Sequence, residues 1–147
     1  AGCADQPWRE RVGRWVARLP LGTDAALVTY ADWQTAGAPP PEEVLTHAVK
    51  VGCRGVVLDT WSKGGGCSLD LLGSGRLRSL VETANAAGLM TVLAGSIALE
   101  RLGEAASYGP TLVGVRGAAC VGGRSGCVDA GSVRELARRL GACRRER

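Results

Sequence analysis

Four short apolar runs alternate with stretches of helical period, and few folds satisfy that alternation. The runs are Ala25-Ala26-Leu27-Val28-Thr29-Tyr30, Gly55-Val56-Val57-Leu58, Leu89-Met90-Thr91-Val92-Leu93 and Thr111-Leu112-Val113-Gly114-Val115. None alternates cleanly between polar and apolar, which is the pattern of parallel strands covered on at least one face. Apolar residues at helical spacing follow each run: Val44, Leu45, Ala48 and Val49; Leu77, Leu80, Val81 and Ala84; Leu99, Leu102 and Ala106; Val133, Leu136, Ala137 and Leu140. One further helical face, Trp8, Val12, Trp15, Val16 and Leu19, comes first and ends at Pro20 and Gly22. Pro39-Pro40-Pro41 opens the second helix, Gly52, Gly88 and Gly109-Pro110 close helices, and Asp129 or Ser132 caps the last one. The order is a helix followed by four βα units. Strict alternation of this kind predicts an α/β fold with a parallel sheet and right-handed crossovers. At 147 residues the chain is expected to form one domain, spanning 1–147.

Composition narrows the function classes. Apolar residues make up 46% and charged residues 22%, an ordinary globular balance. No apolar run approaches the roughly 20 residues of a membrane helix, and no charged-then-apolar leader opens the chain. The chain does not begin with Met, so its start is either processed or lies upstream. Much of the net charge of +4 comes from Arg138-Arg139 and Arg144-Arg145-Glu146-Arg147. No aromatic residues interleave with these arginines, so the tail is read as a solvated helix end rather than a nucleic-acid contact. The six cysteines, Cys3, Cys53, Cys67, Cys120, Cys127 and Cys143, form no C-x-x-C pair, and the single histidine, His47, is distant in sequence. That spacing predicts neither a metal site nor a disulfide framework, but free thiols in a reducing cytoplasm. Cys120 and Cys127 share one loop region and are either loop thiols or a ligand or redox pair. His47, in mid-helix, is expected at the surface.

The ends of the four runs carry the polar residues, and in parallel α/β folds that end binds ligands. They read Tyr30-Ala31-Asp32, Asp59-Thr60 with Lys63, Ala94-Gly95-Ser96 and Arg116-Gly117-Ala118. Only Lys50 and Lys63 are lysines in this arginine-rich chain, and Lys63 stands four residues after an acid and just before Gly64-Gly65-Gly66. Asp59 and Lys63 can form a structural salt bridge, or a lysine poised as acid, base or phosphate contact and oriented by the carboxylate. A Schiff base with a carbonyl substrate is a further use of such a lysine. The small residues at Gly95-Ser96 and Gly117-Ala118 either permit tight turns or let backbone amides approach an anion. Arg116 is either an anion contact or a rim anchor, and Asp32 is a candidate cap for the segment that follows it.

Several strings together resemble the (5-formylfuran-3-yl)methyl phosphate synthase family. They are Val57-Leu58-Asp59-Thr60-x-x-Lys63-x-Gly65, Gly88-Leu89, Leu93-Ala94-Gly95-Ser96 and Val113-Gly114-Val115-Arg116-Gly117-Ala118-Ala119-Cys120, with Tyr30-Ala31-Asp32 before them. The resemblance covers roughly Ala25 to Leu140. It implies a (βα)8 TIM barrel of which this chain carries strands five to eight after the fourth helix, with the N-terminal half absent. It implies a carbon–oxygen lyase that condenses two molecules of glyceraldehyde 3-phosphate into a furan phosphate, with loss of phosphate and water, in the synthesis of methanofuran-type C1 carriers. Asp59 and Lys63 would be catalytic, and Gly95, Ser96, Arg116, Gly117 and Ala118 would hold substrate phosphate. No metal and no cofactor is implied. The family's Schiff-base lysine and a second, proton-accepting lysine belong to the first half, so the expected partners are triose phosphate and either a missing first half or a second half-barrel. Gly64-Gly65-Gly66-Cys67 departs from the family's aspartate-glycine continuation. The alternative is a half-barrel module that keeps the phosphate loops without the chemistry.

Overall fold

The computed structural model describes the backbone of residues 1–145 and the side chains of residues 1–141. The expected helix and four βα units appear in order, with α3 and the strands β5 and β6 added: α1 (Trp8–Val16), β1 (Ala26–Tyr30), α2 (Pro41–Lys50), β2 (Gly55–Asp59), α3 (Ser68–Leu72), α4 (Ser74–Ala86), β3 (Met90–Leu93), α5 (Leu102–Ser107), β4 (Leu112–Val113), β5 (Cys120–Val121), β6 (Cys127–Val128) and α6 (Ala130–Arg145). The stretch Arg144-Arg145-Glu146-Arg147 of the basic tail lies outside the described side chains. Their neighbours Arg138 and Arg139 are tied to Glu135 at 2.7 and 2.8 Å.

Local chemistry explains the helix ends. Proline at the first position of α2 loses no helical hydrogen bond, and Glu42 and Glu43 sit in the first turn, where negative charge suits the dipole. At the other end Gly52 turns into the left-handed region (φ 73°), and the Cys53 amide reaches back to the Ala48 carbonyl at 2.9 Å. Gly88 does the same for α4 (φ 74°), with the Leu89 amide on the Ala84 carbonyl at 3.0 Å. Each closure aims the chain directly into a strand.

The first four strands form one sheet in the order β1-β2-β3-β4, every neighbour parallel. Sequential order with right-handed crossovers sends every connecting helix over the same face. The burial pattern agrees. Leu27, Val56 and Thr91 lie in register, as do Thr29, Leu58 and Leu93, and all six are buried. Beneath them pack Val44, Leu45 and Ala48 of α2, Leu77, Leu80 and Val81 of α4, and Leu102 and Ala105 of α5. Among the described residues no helix covers the opposite face. Val28, Val57, Val92 and Leu112 form one row across it, and the two end members are 49% and 50% exposed. β1 and β4 each have only one neighbour among the described residues, so each leaves an edge unpaired.

Two sequence expectations are corrected, those for His47 and Trp15, and of the two readings left open for Cys120 and Cys127 the hairpin favours loop thiols. His47 is buried, not exposed: its ring meets Trp8 edge-on at 5.0 Å, and Nε2 donates to the Arg9 carbonyl at 2.9 Å. It fastens α1 to α2, a contact between residues 38 apart that no local pattern announces. Trp15 is half exposed, and Trp8 is the buried anchor of α1, which ends at Val16. Cys120 and Cys127 do not face each other. In the β5–β6 hairpin Cys120 stands opposite Val128 and Cys127 opposite Val121. Adjacent pairs in a ladder point to opposite faces, so the two thiols diverge. The short helix α3, after the glycine run, was not anticipated.

Candidate active site

The site is built where β2, β3 and β4 end. Asp59 closes β2, and its Oδ1 accepts the Thr60 amide at 2.7 Å and lies 3.3 Å from Lys63 Nζ. Lys63 Nζ also donates to the Thr60 carbonyl, so the lysine curls back over its own turn. Both side chains remain about one-third exposed (33% and 35%). An ion pair at that exposure contributes about 0–1 kcal/mol, too little to explain the pair as a stability device.

Asp32 does not cap its own segment. Its two carboxylate oxygens accept the amides of Trp61 and Ser62, at 2.7 and 2.8 Å, across from β1 to the loop after β2. Burial pushes the Asp32 carboxyl upward, but these amide donors outweigh it and hold the group below the usual carboxylate range. Trp61 thereby sits edge-on to Tyr30 at 5.7 Å. Burial, and then the nearby Asp59, raise the Tyr30 phenol above its ordinary value.

The loop after β3 lies directly on the loop after β2. A Cβ at Gly95 (φ 101°) would come within 2.9 Å of the Thr60 backbone nitrogen, so only glycine fits. The Gly95 carbonyl accepts the Ser68 amide at 3.0 Å, which ties in the start of α3. Ser96 follows with φ 55°, a left-handed backbone rare for a residue with a side chain. Such strain clusters at functional sites. The Ser96 hydroxyl is 3.4 Å from that of Thr60. After β4, Arg116 leads into a tight 3-10 turn at Gly117–Ala119.

One cavity of about 580 Å³ collects these pieces. Asp59, Lys63, Gly95, Ser96, Arg116, Gly117 and Ala118, all seven candidate residues, line it. Ile97 and Leu99 add an apolar wall. Its size lies within the roughly 300–1,000 Å³ of small-molecule sites. Arg124 lines it too, and the sequence reading did not single it out. The signal was available: Gly122-Gly123-Arg124-Ser125-Gly126 between two Cys-Val or Val-containing pairs is the composition of a hairpin turn. Among the described residues no three His, Cys, Asp or Glu side chains gather to hold a metal ion, and no helix is long and apolar enough to cross a membrane.

Sequential parallel strands with helices on one face, and a cavity at the strand ends lined by Lys63, Arg116 and Arg124, define an α/β protein with one candidate site at the rim of its sheet. Comparison with known proteins makes the class specific: the chain belongs to the 4-HFC-P synthase family, which matches residues 9–137. The family is one of enzymes. The chain is 38% identical over 114 residues to a (5-formylfuran-3-yl)methyl phosphate synthase of Methanobrevibacter smithii, covering 78% of this chain and 48% of that protein. A protein of the same name from Methanothermobacter thermautotrophicus is 39% identical over 118 residues, with coverages of 78% and 50%. The one from Methanopyrus kandleri is 34% identical over 129 residues, with coverages of 86% and 54%. The chain thus spans about half the length of the curated relatives it matches. Among solved structures, a phosphoribosyl anthranilate isomerase from Thermus thermophilus aligns with 91% of this chain and 80% of its own, at TM-score 0.46 and 16% identity. The fold assignment rests on the sheet topology and not on that likeness.

Proposed function

We propose that this chain supplies strands five to eight of a (βα)8 barrel that acts as a (5-formylfuran-3-yl)methyl phosphate synthase. The reaction is a carbon–oxygen lyase chemistry: two glyceraldehyde 3-phosphate molecules condense to a furan phosphate, with loss of phosphate and water, in methanofuran-type cofactor synthesis. The observation that carries the reading is the convergence of all seven candidate residues on one cavity in a chain of this family. The bare row Val28, Val57, Val92 and Leu112, flanked by two unpaired sheet edges, supports completion by further βα units, on the same or another polypeptide. The five free thiols among the described residues fit a cytoplasmic protein.

In this reading Lys63 and Asp59 assist and another lysine forms the Schiff base. The other lysine here, Lys50, ends α2. A helix that returns over a parallel sheet ends beside the starts of the strands, so Lys50 sits away from the cavity. Lys63 is oriented by Asp59 and can deliver a proton to a departing phosphate or hydroxyl oxygen, while Arg116 and the turns at Gly95-Ser96 and Gly117-Ala118 hold phosphate.

The test supplies glyceraldehyde 3-phosphate to the chain with and without a first-half polypeptide from a relative, and follows the furan product. Furan is expected only from the mixture, and Lys63→Ala is expected to lower turnover about a hundredfold. Borohydride trapping should place the substrate adduct on the first-half polypeptide. Turnover that survives Lys63→Ala would remove Lys63 from the mechanism. Phosphate binding without turnover in the mixture would favour a non-catalytic module.

A further inference from the structure

The mouth of the cavity carries more positive charge than its neighbours balance. Lys63, Arg116 and Arg124 line it against a single carboxylate, Asp59. Lys63 is already held by Asp59 and by the Thr60 carbonyl. Elsewhere Arg9, Arg14, Arg76, Arg101, Arg138 and Arg139 face carboxylates, and the other described arginines without one, such as Arg11 and Arg134, lie outside this cavity. Arg116 and Arg124 make no ion pair among the described residues. Guanidinium groups stay charged, and two without carboxylates beside a concavity concentrate small anions there.

Arg124 reaches the cavity from the hairpin rather than from a strand end. It lies in the 3-10 turn Gly123–Ser125 between β5 and β6. That hairpin is fastened at its base. The Asp129 amide donates to the Ala119 carbonyl at 2.9 Å, and the Asp129 carboxylate accepts the Ser132 amide at 2.6 Å, where α6 begins. Gly126 permits the tight closure, since a Cβ there would lie 1.7 Å from the Val121 carbonyl oxygen. The turn rests on the phosphate loop itself: a Cβ on Gly117 would be 3.7 Å from the Arg124 amide nitrogen. The fold therefore fixes where Arg124 starts relative to Gly117 and Ala118.

We propose that Arg124 is a phosphate-recognition residue, closing from the hairpin over a phosphate monoester that the Ser96 loop and the Gly117–Ala119 turn approach from the other sides. The identity of the ester as a triose phosphate rests on the functional reading above. The planar guanidinium can give two parallel N–H donors to two phosphate oxygens, a match that a lysine cannot make.

Calorimetry with sn-glycerol 3-phosphate, which carries the phosphate but no aldehyde, tests this on the full chain, with glycerol as the uncharged control. Glycerol 3-phosphate is expected to bind and glycerol is not. Arg124→Ala is expected to weaken binding about ten- to hundredfold, the effect of one charge-assisted contact. Arg124→Lys should recover only part of the loss. Arg134→Ala, an exposed arginine on α6 outside the cavity, should leave affinity unchanged. Arg124→Gln, which keeps a long polar side chain, serves if the alanine variant loosens the hairpin. Equal affinity in wild type and the Arg124 variants, or no binding by the wild type, overturns the proposal. Loss of affinity in Arg124→Ala alongside a completed barrel that forms no furan would sink the reaction and leave the role of Arg124. Furan formation with an unchanged KM in Arg124→Ala would do the reverse.

Discussion

The two faces of the sheet are made from the same four short strands, yet they are different materials. On the covered face Leu58 and Leu93 are 2% and 0% exposed and belong to one core cluster with side chains of α2, α4 and α5. On the other face the residues one step along, Val28 and Val57 in β1 and β2 and Val92 in β3, meet solvent in whole or in part. A strand reverses its side chains at each residue, so one continuous apolar run serves both faces. The difference teaches where the fold is self-sufficient. The covered face is finished by this chain's own helices, whereas the bare face is apolar without a partner among the described residues. Asp59 belongs to the bare side, in register with Tyr30 at the rim.

The sharpest way to break this contrast is Leu58→Ala. Leu58 is buried at the centre of the covered face, and its truncation leaves a cavity that the surrounding helices cannot close. The expected loss is about 2–5 kcal/mol, read as a shift in the urea midpoint. A loss below about 1 kcal/mol would mean that the covered face is not the core.

The rim is expected to respond less, and with a pH signature. In Asp32→Asn one acceptor survives, but an amino group turns toward the other loop amide. The cost at neutral pH is about 1 kcal/mol, since the carboxylate is partly solvated. The sign follows from its depressed folded-state value. The stabilisation by Asp32 is complete above the unfolded carboxyl value of about 3.9 and is lost as pH falls through the lower folded one. Wild type and variant should therefore converge in acid. A constant difference from neutral pH down to about pH 2 would show that the carboxylate charge is not what holds the Trp61–Ser62 loop.

These elements also mark how far a sequence can be read. The four βα units were legible because a continuous apolar run and a 3.6-residue period are local signals, and Gly52 and Gly88 punctuate them. The convergence of Asp59, Gly95 and Arg116 was legible for a topological reason: parallel strands bring their C-terminal ends to one side whatever the details between them. His47 and Asp32 were not. Their partners, Arg9 and Trp8 for one and Trp61 and Ser62 for the other, are distant in sequence, and neither contact leaves a periodic trace. Arg124 is intermediate. Its glycine-flanked turn is readable as a turn, but its place over Gly117 depends on how the hairpin is anchored at Ala119.

The smallest expected effect is the most informative about the bare face. Val28→Thr keeps a β-branched side chain, so the strand preference is hardly changed, and it places a hydroxyl where water already reaches. In the chain alone its cost should be below about 0.5 kcal/mol, as for other exposed sites. The same substitution acts differently if further βα units cover this face. The hydroxyl would then be buried among Val57 and the incoming side chains without an obvious partner, at a cost of about 1–3 kcal/mol. Measuring the variant with and without the first-half polypeptide separates the two conditions. An effect that grows on mixing identifies this face as the inside of the completed barrel. An effect that stays small in both would leave the bare face solvated, and the contrast between the faces would then concern stability alone.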